Sequence, residues 1–409
     1  MIWPLFVLAL ILTPLADFLT TWASVGGGSE AGARYSLLVR GCLLAGMVSI
    51  MLVAGNVKRA TCIRALLATI AVGAAAIMCL AGEMSGQEFA EQAIFISKTF
   101  CFFVYTAALS TLSHQQRSKL EPLVLGALLV YAAAIIVGAI FSVDMFRSYQ
   151  ASNHIRSGYK GIVYAQNETS ALMIAGLGYA NLRVLRFGWK KLNILAFLML
   201  SVACLLIGTK AAMVGAFAII CIYFYARHSV IVATFRASNA VLVLLLIAIV
   251  AYAAVPSVRD AVSLSRDYFV YHYDRASGNA LLTILLSGRD IKFAQVWADL
   301  ANTSYLAVLT GGYPVTRYLI EIDVPDLVIC LGAPLFCYYF WSLRREFVFA
   351  GSAPLARYGR LLFLVVLAVA CTAGHTLNSA VTSPYLAFIA VVIRFECDKR
   401  SAQRLSTDA

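Results

Sequence analysis

Charged residues are scarce in this chain of 409 residues. They make up 13% of it, against about 25% in a typical soluble domain, whereas 61% of the residues are hydrophobic and the mean hydropathy is +0.83. Apolar runs of about 20 residues recur along the whole chain, and each is long enough to cross about 30 Å of hydrocarbon. The shortage of charge therefore excludes a string of soluble domains and predicts an integral membrane protein.

The sequence shows no cysteine framework and no internal repeat, and we expect its first apolar run not to be a cleavable leader. The ten cysteines show no CxxC spacing, and most lie in apolar runs, so they are interpreted as small buried hydrophobic residues. The first apolar run, 1–22, follows no basic region and contains Pro4 and Asp17, which is atypical of a signal peptide. We therefore predict that this run is the first span of a single polytopic membrane domain covering 1–409.

Hydropathy predicts an all-α membrane protein with about twelve transmembrane helices. Two neighbouring spans are separated by only a few residues around Gly208-Thr209-Lys210, which predicts a tight helical hairpin. The predicted spans lie near 1–22, 36–54, 62–82, 92–112, 121–142, 168–185, 192–208, 211–226, 239–256, 325–343, 359–373 and 378–395.

The connections between these spans alternate in charge. Lysine and arginine recur in every second connection and in the C-terminal tail, so the positive-inside rule predicts that both termini are cytoplasmic. The same loops account for most of the net charge of +12, and no nucleic-acid partner is expected. The largest connection on the other side is 256–324, which is predicted to be an external loop with short amphipathic helices.

The external connections contain the polar residues of greatest interest. Ionisable residues at a membrane boundary away from the basic side are costly to place and tend to be functional. An ordinary solvated loop is the competing interpretation for each of them. The candidates are Arg156, Lys160, Asn167, Glu168, Lys210, Arg289, Arg317, Glu321, Asp323 and His375.

Arg289 has a local argument of its own. Ser287-Gly288-Arg289-Asp290 fits a capping box with Ser287 as the N-cap, and apolar residues then recur at helical spacing. Arg289 would lie in the first turn, where free backbone N–H groups and the helix dipole already favour an anion. A guanidinium group there could bind a phosphate through two hydrogen bonds.

Five short motifs resemble those of the Wzy-type polysaccharide polymerases, which are relatives of the O-antigen ligases. They are spread over roughly the C-terminal 60% of the chain. Each is weak alone, but their order and their placement on one membrane face are similar to the family pattern. The motifs are the segment 159–170 with Asn167-Glu168, Gly208-Thr209-Lys210-Ala211, Ser287-Gly288-Arg289 followed by Trp297, Glu321-Ile322-Asp323 followed by Gly332, and Gly374-His375-Thr376-Leu377.

The resemblance implies a GT-C-like helical enzyme at the outer face of a bacterial inner membrane. It would transfer a growing glycan from undecaprenyl diphosphate to the terminal sugar of a lipid-linked repeat, without a metal or another cofactor. Besides the bilayer and the lipid-linked oligosaccharides, the implied partners are a chain-length regulator and a flippase of the same pathway.

The resemblance also implies roles for the candidate residues. The cations would stabilise the diphosphate, a base would accept the proton of the acceptor hydroxyl group, and the remaining residues would contact other parts of the substrate. The implied diphosphate-binding residues are Arg289, Lys210 and Arg317; the base is one of Glu321, Asp323 and His375; the other substrate-binding residues are Arg156, Lys160, Asn167 and Glu168.

Two alternative functions compete with the polymerase. The first is an O-antigen ligase, which would transfer the glycan to lipid A core; the ligases usually carry arginine in the hairpin, so Lys210 favours a polymerase. The second is a transporter or flippase. Transporters usually show repeats and charged, broken helices near the middle of the membrane, whereas the charges here cluster at one face and repeats are absent.

Overall fold

The structure is a computed structural model that describes residues 1–25, 34–55, 57–148, 158–254, 256–274, 279–302 and 304–407. Over these residues its regular structure is helical, without strands, and the all-α prediction is confirmed. The helices are α1 (Ile2–Val25), α2 (Tyr35–Val53), α3 (Arg59–Leu80), α4 (Gly86–Ser110), α5 (His114–Ile140), α6 (Gln166–Phe187), α7 (Lys191–Leu206), α8 (Lys210–Arg227), α9 (Val230–Ala254), α10 (Pro256–Asp274), α11 (Ala280–Leu286), α12 (Arg289–Ala301), α13 (Leu306–Thr310), α14 (Asp323–Leu331), α15 (Ala333–Phe347), α16 (Pro354–Ala370) and α17 (Ser383–Thr407), with a short 3-10 helix at Asp144–Phe146.

Within the described residues, six of these helices are long and apolar enough to cross a membrane. They are α1 to α5 and α8, and they coincide with six of the predicted spans. Their outer surfaces are apolar: on α3 the side chains of Leu66, Ile70 and Ile77 are 58%, 47% and 67% exposed. Aliphatic side chains that face outward from a long apolar helix are suited to lipid rather than water. The chain is a multi-pass helical membrane protein.

Helices also occupy the other predicted spans, but two of those spans are interrupted. The predicted continuous span 325–343 is wrong, because Gly332 divides it into α14 and α15 with a backbone φ of +80°. The predicted span 378–395 begins later, at Ser383, and the preceding residues 371–382 form turns. Both interruptions lie beside the site described below.

The break at Gly332 has a local cause, and a residue outside the helix compensates for it. Pro334 follows two residues later, and in a continuous helix its ring would clash with the carbonyl group of Cys330. That carbonyl oxygen instead accepts a hydrogen bond of 2.9 Å from the backbone N–H of Gly312. Backbone irregularity is tolerated at membrane depth when other parts of the protein satisfy the freed groups, as they do here.

The core is centred on α6 and on the first half of α17, which bury most of their residues. The Asn181 side chain donates to the carbonyl oxygen of Ile219 in α8, and the Tyr358 hydroxyl of α16 donates to that of Gly178, both over 2.6 Å. Side-chain hydrogen bonds to backbone carbonyl groups thus connect α6 to α8 and α16. These three helices position the site.

A buried ion pair explains the acidic residue in the first span. Asp17 pairs with Arg40 of α2 and accepts a hydrogen bond of 2.7 Å from the Tyr131 hydroxyl of α5. The Asp17 and Arg40 side chains are 2% and 8% exposed, so neither charge reaches solvent. An intramembrane charge is expensive unless it is paired, and this pair joins α1, α2 and α5.

The segment predicted as an external loop, 256–324, contains α10 to α13. The helix predicted after Ser287 is present as α12, and Val296 and Leu300 are buried on one face of it. Phe293 and Trp297 stack with their ring centroids 5.7 Å apart and remain partly exposed. The apolar face that the sequence predicted therefore packs against the bundle over only part of its width.

Candidate active site

A cavity of about 690 Å³ lies where α6, α8, α12 and the loops before α14 and after α16 meet. It brings together five of the ten candidates from the sequence. Its polar lining consists of Gln166, Asn167, Thr209, Lys210, Ser287, Arg289, Glu321, Thr372 and His375.

An apolar furrow continues from this polar end between α8 and α16. The stretch of α8 from Lys210 to Ile222 is about 18 Å long at 1.5 Å per residue. Aliphatic side chains from both helices line the furrow along this length, so the cavity combines a cationic end with a hydrocarbon-like slot. The furrow is lined by Val214, Gly215, Ala218, Ile222, Leu361, Leu364, Val365, Ala368 and Val369.

Lys210 reaches the cavity because of the hairpin, which is present as predicted. Thr209 caps α8 by accepting a hydrogen bond of 3.1 Å from the backbone N–H of Ala212, and its hydroxyl oxygen lies 2.8 Å from that of Ser170. Lys210 is the first residue of the helix, and its ammonium group donates to the carbonyl oxygen of Ile284 in α11. The hairpin thus contacts α6 through Thr209 and α11 through Lys210.

Arg289 is the first residue of α12, but the predicted capping box is wrong. Ser287 ends α11 in a left-handed conformation, and Gly288, with a φ of +78°, precedes α12 without a side-chain cap. Asp290 does not reach back to the predicted cap, because its carboxylate accepts a hydrogen bond from the Thr283 hydroxyl. The left-handed pair at 287–288 turns the chain sharply between two short helices, and this turn brings Arg289 to the cavity.

The guanidinium group of Arg289 has unused hydrogen-bonding capacity. Its Nη1 lies 3.4 Å from the carbonyl oxygen of Thr372 and its Nη2 lies 3.5 Å from the Glu321 carboxylate, which are long contacts. Its buried Nε has no hydrogen-bond partner in the described part of the chain. A partly buried guanidinium group with free donors is suited to bind an anion through two hydrogen bonds.

Glu321 faces two cations across the cavity wall. Its carboxylate lies 2.5 Å from the ammonium group of Lys292 in α12 and 3.5 Å from Arg289. Burial opposes ionisation of this group, but the hydrogen bond and charge of Lys292 and the charge of Arg289 outweigh burial and lower the pKa of Glu321. The side chain is 34% exposed and carries a negative charge beside the cavity.

Asp326 positions Glu321 through its backbone. The carboxylate of Asp326 accepts hydrogen bonds of 3.1 Å from the backbone N–H groups of Ile320 and Glu321. Successive residues of the segment 319–322 then line different cavities. Leu319 and Glu321 line the main cavity, whereas Ile320 and Ile322 line a second, largely apolar cavity of about 440 Å³. This anchored, alternating segment directs Glu321 towards the cationic end.

Asp323 is placed differently from the other predicted bases. It is 3% exposed and does not line the cavity. Its two carboxylate oxygens accept hydrogen bonds of 2.6, 2.7 and 2.7 Å from the backbone N–H groups of His375, Thr376 and Leu377. Asp323 therefore holds the turn after α16 in place, and it positions His375, whose side chain lines the cavity.

Three residues that line the cavity have left-handed backbones. Ser287, Glu321 and His375 have φ values of +58°, +66° and +67°. A positive φ is uncommon for residues with a side chain, and such strain tends to cluster at functional sites, where the surrounding structure maintains it. Gly374, next to His375, packs directly against the backbone of Glu321.

We expect Gly374→Ala to displace Glu321. A Cβ atom at Gly374 would lie 2.9 Å from the Glu321 carbonyl oxygen and 3.0 Å from its carbonyl carbon. Overpacking of this kind costs about 1–3 kcal/mol. The variant should melt at a lower temperature than the unsubstituted protein. Gly126→Ala is the control, because nothing lies within 4 Å of its Cβ position; equal behaviour of both variants would contradict the expectation.

The other candidates that the structure describes do not line the cavity. Arg317 forms an ion pair with Glu88 at the start of α4, with Nη2 2.7 Å from the carboxylate. Glu168 faces Lys98 of α4 at 4.0 Å, and Lys160 donates to the carbonyl oxygen of Tyr164 over 2.9 Å. Arg156 lies outside the described residues. Of the substrate-binding set, the cavity contains Asn167.

A comparison of the chain with models of protein families, with curated proteins and with solved structures finds no match. The polymerase resemblance therefore stays a prediction, and the function is argued from the cavity. Within the described ranges, no group of three or more His, Cys, Asp and Glu side chains could hold a metal ion.

Sequence reasoning missed Lys292 and Asp326. Lys292 lies three residues after Arg289, and this spacing places both cations on the same side of a helix. That spacing was the available signal for Lys292. For Asp326 no signal existed, because its role depends on backbone N–H groups that only the folded loop directs towards it.

Proposed function

We propose that the chain is a Wzy-type glycosyltransferase that polymerises lipid-linked glycan repeats. The observation that carries this proposal is the continuity of one cavity, with Lys210 and Arg289 at its polar end and the apolar furrow between α8 and α16 beyond them. A polyprenyl diphosphate has the same two parts, a dianionic head and a hydrocarbon tail. The aliphatic lining of the furrow suits the hydrocarbon tail, and the two cations suit the anionic head.

The proposed reaction assigns a role to each charged group. The acceptor hydroxyl oxygen attacks the anomeric carbon of the donor glycan, and the bond from that carbon to the diphosphate oxygen breaks. Undecaprenyl diphosphate leaves with the electron pair, while Arg289 and Lys210 stabilise the charge that develops on it. The hydroxyl proton passes to Glu321 or His375, which line the same cavity.

The proposal includes the finer features that the sequence implies. These are about twelve spans in a GT-C-like arrangement, a bacterial inner membrane, cytoplasmic termini and a cavity that opens to the periplasm. A chain-length regulator and a flippase of the same pathway are the proposed protein partners. Lysine and arginine recur in every second connection between the predicted spans, which supports the cytoplasmic position of both termini.

The test supplies a single lipid-linked substrate. Oligosaccharide-linked undecaprenyl diphosphate, extracted from a strain that lacks this gene, is given to the purified protein without lipid A core. We expect a ladder of longer lipid-linked chains, and the ladder should persist in the presence of a chelator. Products that appear only after lipid A core is added would identify a ligase. Movement of the lipid across vesicles without a new glycosidic bond would identify a flippase.

A further inference from the structure

A second charged pocket lies at the opposite end of α6 from the cavity. Gln166 begins α6 at the cavity and Arg186 lies near its end, which is about 30 Å away at 1.5 Å per residue. This distance matches the hydrocarbon thickness of a bilayer, about 30 Å. The pocket has a volume of about 210 Å³, and its lining includes His114, Arg117, Glu121, Arg186, Phe395 and Glu396.

Both carboxylates that line this pocket are paired with arginines other than Arg117. Glu121 accepts hydrogen bonds from Arg183 and Arg186, over 3.4 and 2.8 Å, and Glu396 accepts one from Arg186 over 2.8 Å. The carboxylates of Glu121 and Glu396 thus pair with Arg183 and Arg186. Arg183 does not line the pocket, and Arg117, the other arginine of the lining, pairs with no carboxylate among the described residues.

Arg117 is nevertheless buried, with 6% of its surface exposed. Its guanidinium group lies over the ring of Phe395, and its buried Nη1 has no hydrogen-bond partner among the described residues. A buried charged donor without a partner is costly, so a missing partner is expected to be an anion. The planar guanidinium group matches a phosphate through two hydrogen bonds.

We propose that this pocket binds a phosphate group, and that its source is the headgroup of an anionic phospholipid. The phospholipid is the favoured source because His114 and Arg117 lie at the start of α5, one of the helices long enough and apolar enough to cross a membrane, so the pocket lies at the end of a span, where lipid headgroups are found. This site is independent of the proposed function.

The test compares lipids on protein that has been washed free of lipid in detergent. Phosphatidylglycerol should raise the melting temperature of the wild-type protein, whereas diacylglycerol, which has no phosphate, should not. Arg117→Met should bind phosphatidylglycerol about 10- to 100-fold more weakly, because hydrogen bonds to a charged group are lost. Arg344→Met, which removes an exposed arginine at the end of α15, is the matched control and should bind as the wild type does.

The stability of the lipid-free protein is a second measurement, in which Arg117→Met is not expected to be weaker than the wild type. Because the buried Arg117 pairs with no carboxylate among the described residues, Arg117→Met without lipid should be at least as stable as the wild type. If Arg117→Met does not fold, Arg117→Lys keeps the charge, loses the planar fork and should still bind more weakly. An equal response of wild type and Arg117 variants to phosphatidylglycerol overturns the proposal. An Arg117-dependent response to inorganic phosphate alone supports the anion site and overturns the lipid as its source.

Discussion

Replacement of Arg289 by lysine is expected to abolish polymer formation almost as completely as replacement by alanine. The guanidinium group has a free Nε and two long contacts, so it can exchange them for two hydrogen bonds to a diphosphate. Lysine offers a point charge without the planar fork. Loss of one such electrostatic donor commonly lowers the rate roughly 10²- to 10³-fold. The measurement is the initial rate of ladder formation by purified protein.

Arg266→Ala is the control for Arg289. It removes an exposed arginine from α10, in the same predicted external segment, and Arg266 does not line the cavity. This variant should polymerise at the wild-type rate, which separates a local contact from a general electrostatic attraction of anionic lipid. A near-normal ladder from Arg289→Ala, at equal protein level, would remove Arg289 from the site.

Glu321→Gln is expected to lower turnover roughly 10²- to 10⁴-fold while the protein still binds the lipid-linked donor. Glutamine keeps the size of the side chain and removes the proton acceptor. Donor binding should survive because Lys210 and Arg289 remain. The measurement combines single-turnover rates with binding of the extracted lipid. If Glu321→Gln turns over normally and His375→Gln does not, the histidine is the base.

Asp323→Asn provides the contrast with Glu321→Gln. Asp323 accepts three backbone hydrogen bonds and lies outside the cavity, so its replacement should lower the melting temperature as well as the activity. Glu321→Gln should leave the melting temperature nearly unchanged, because its side chain is partly exposed. Equal melting behaviour of the two variants would contradict the positioning role of Asp323.

The pH dependence follows from the lowered pKa of Glu321. A base acts in its deprotonated form, so activity should persist below the ordinary pKa of glutamate, about 4.3, as far as the protein stays folded. Lys292→Met removes the hydrogen bond and charge that lower this pKa. The pKa should rise, and the acid limb of the rate profile should move to higher pH. No movement of that limb would argue against Glu321 as the titrating base.

Sequence patterns predicted part of the site because part of it is local. The hairpin before Lys210 follows from two apolar runs separated by a few residues, and Arg289 follows from the helical spacing after Gly288. The cap at Ser287 was wrong because a capping pattern cannot show that the preceding residues form another helix. Arg317 matched the charge expected of a ligand-binding residue, but Glu88, distant in sequence, pairs with it.

The sequence by itself determined that this protein is helical and embedded in a membrane, because a backbone in lipid must satisfy its own hydrogen bonds and twenty apolar residues are sufficient to span it. Tertiary structure alone decided which group satisfies the Cys330 carbonyl at the Gly332 break, the exclusion of Asp323 from the cavity and the pairing of Lys292 with Glu321. Each of these depends on a contact between residues far apart in the chain. The N–H of Gly312 satisfies a carbonyl group in α14, and the turn after α16 surrounds Asp323. Hydropathy and spacing report the neighbours of a residue along the chain, whereas a cavity is formed by neighbours in space.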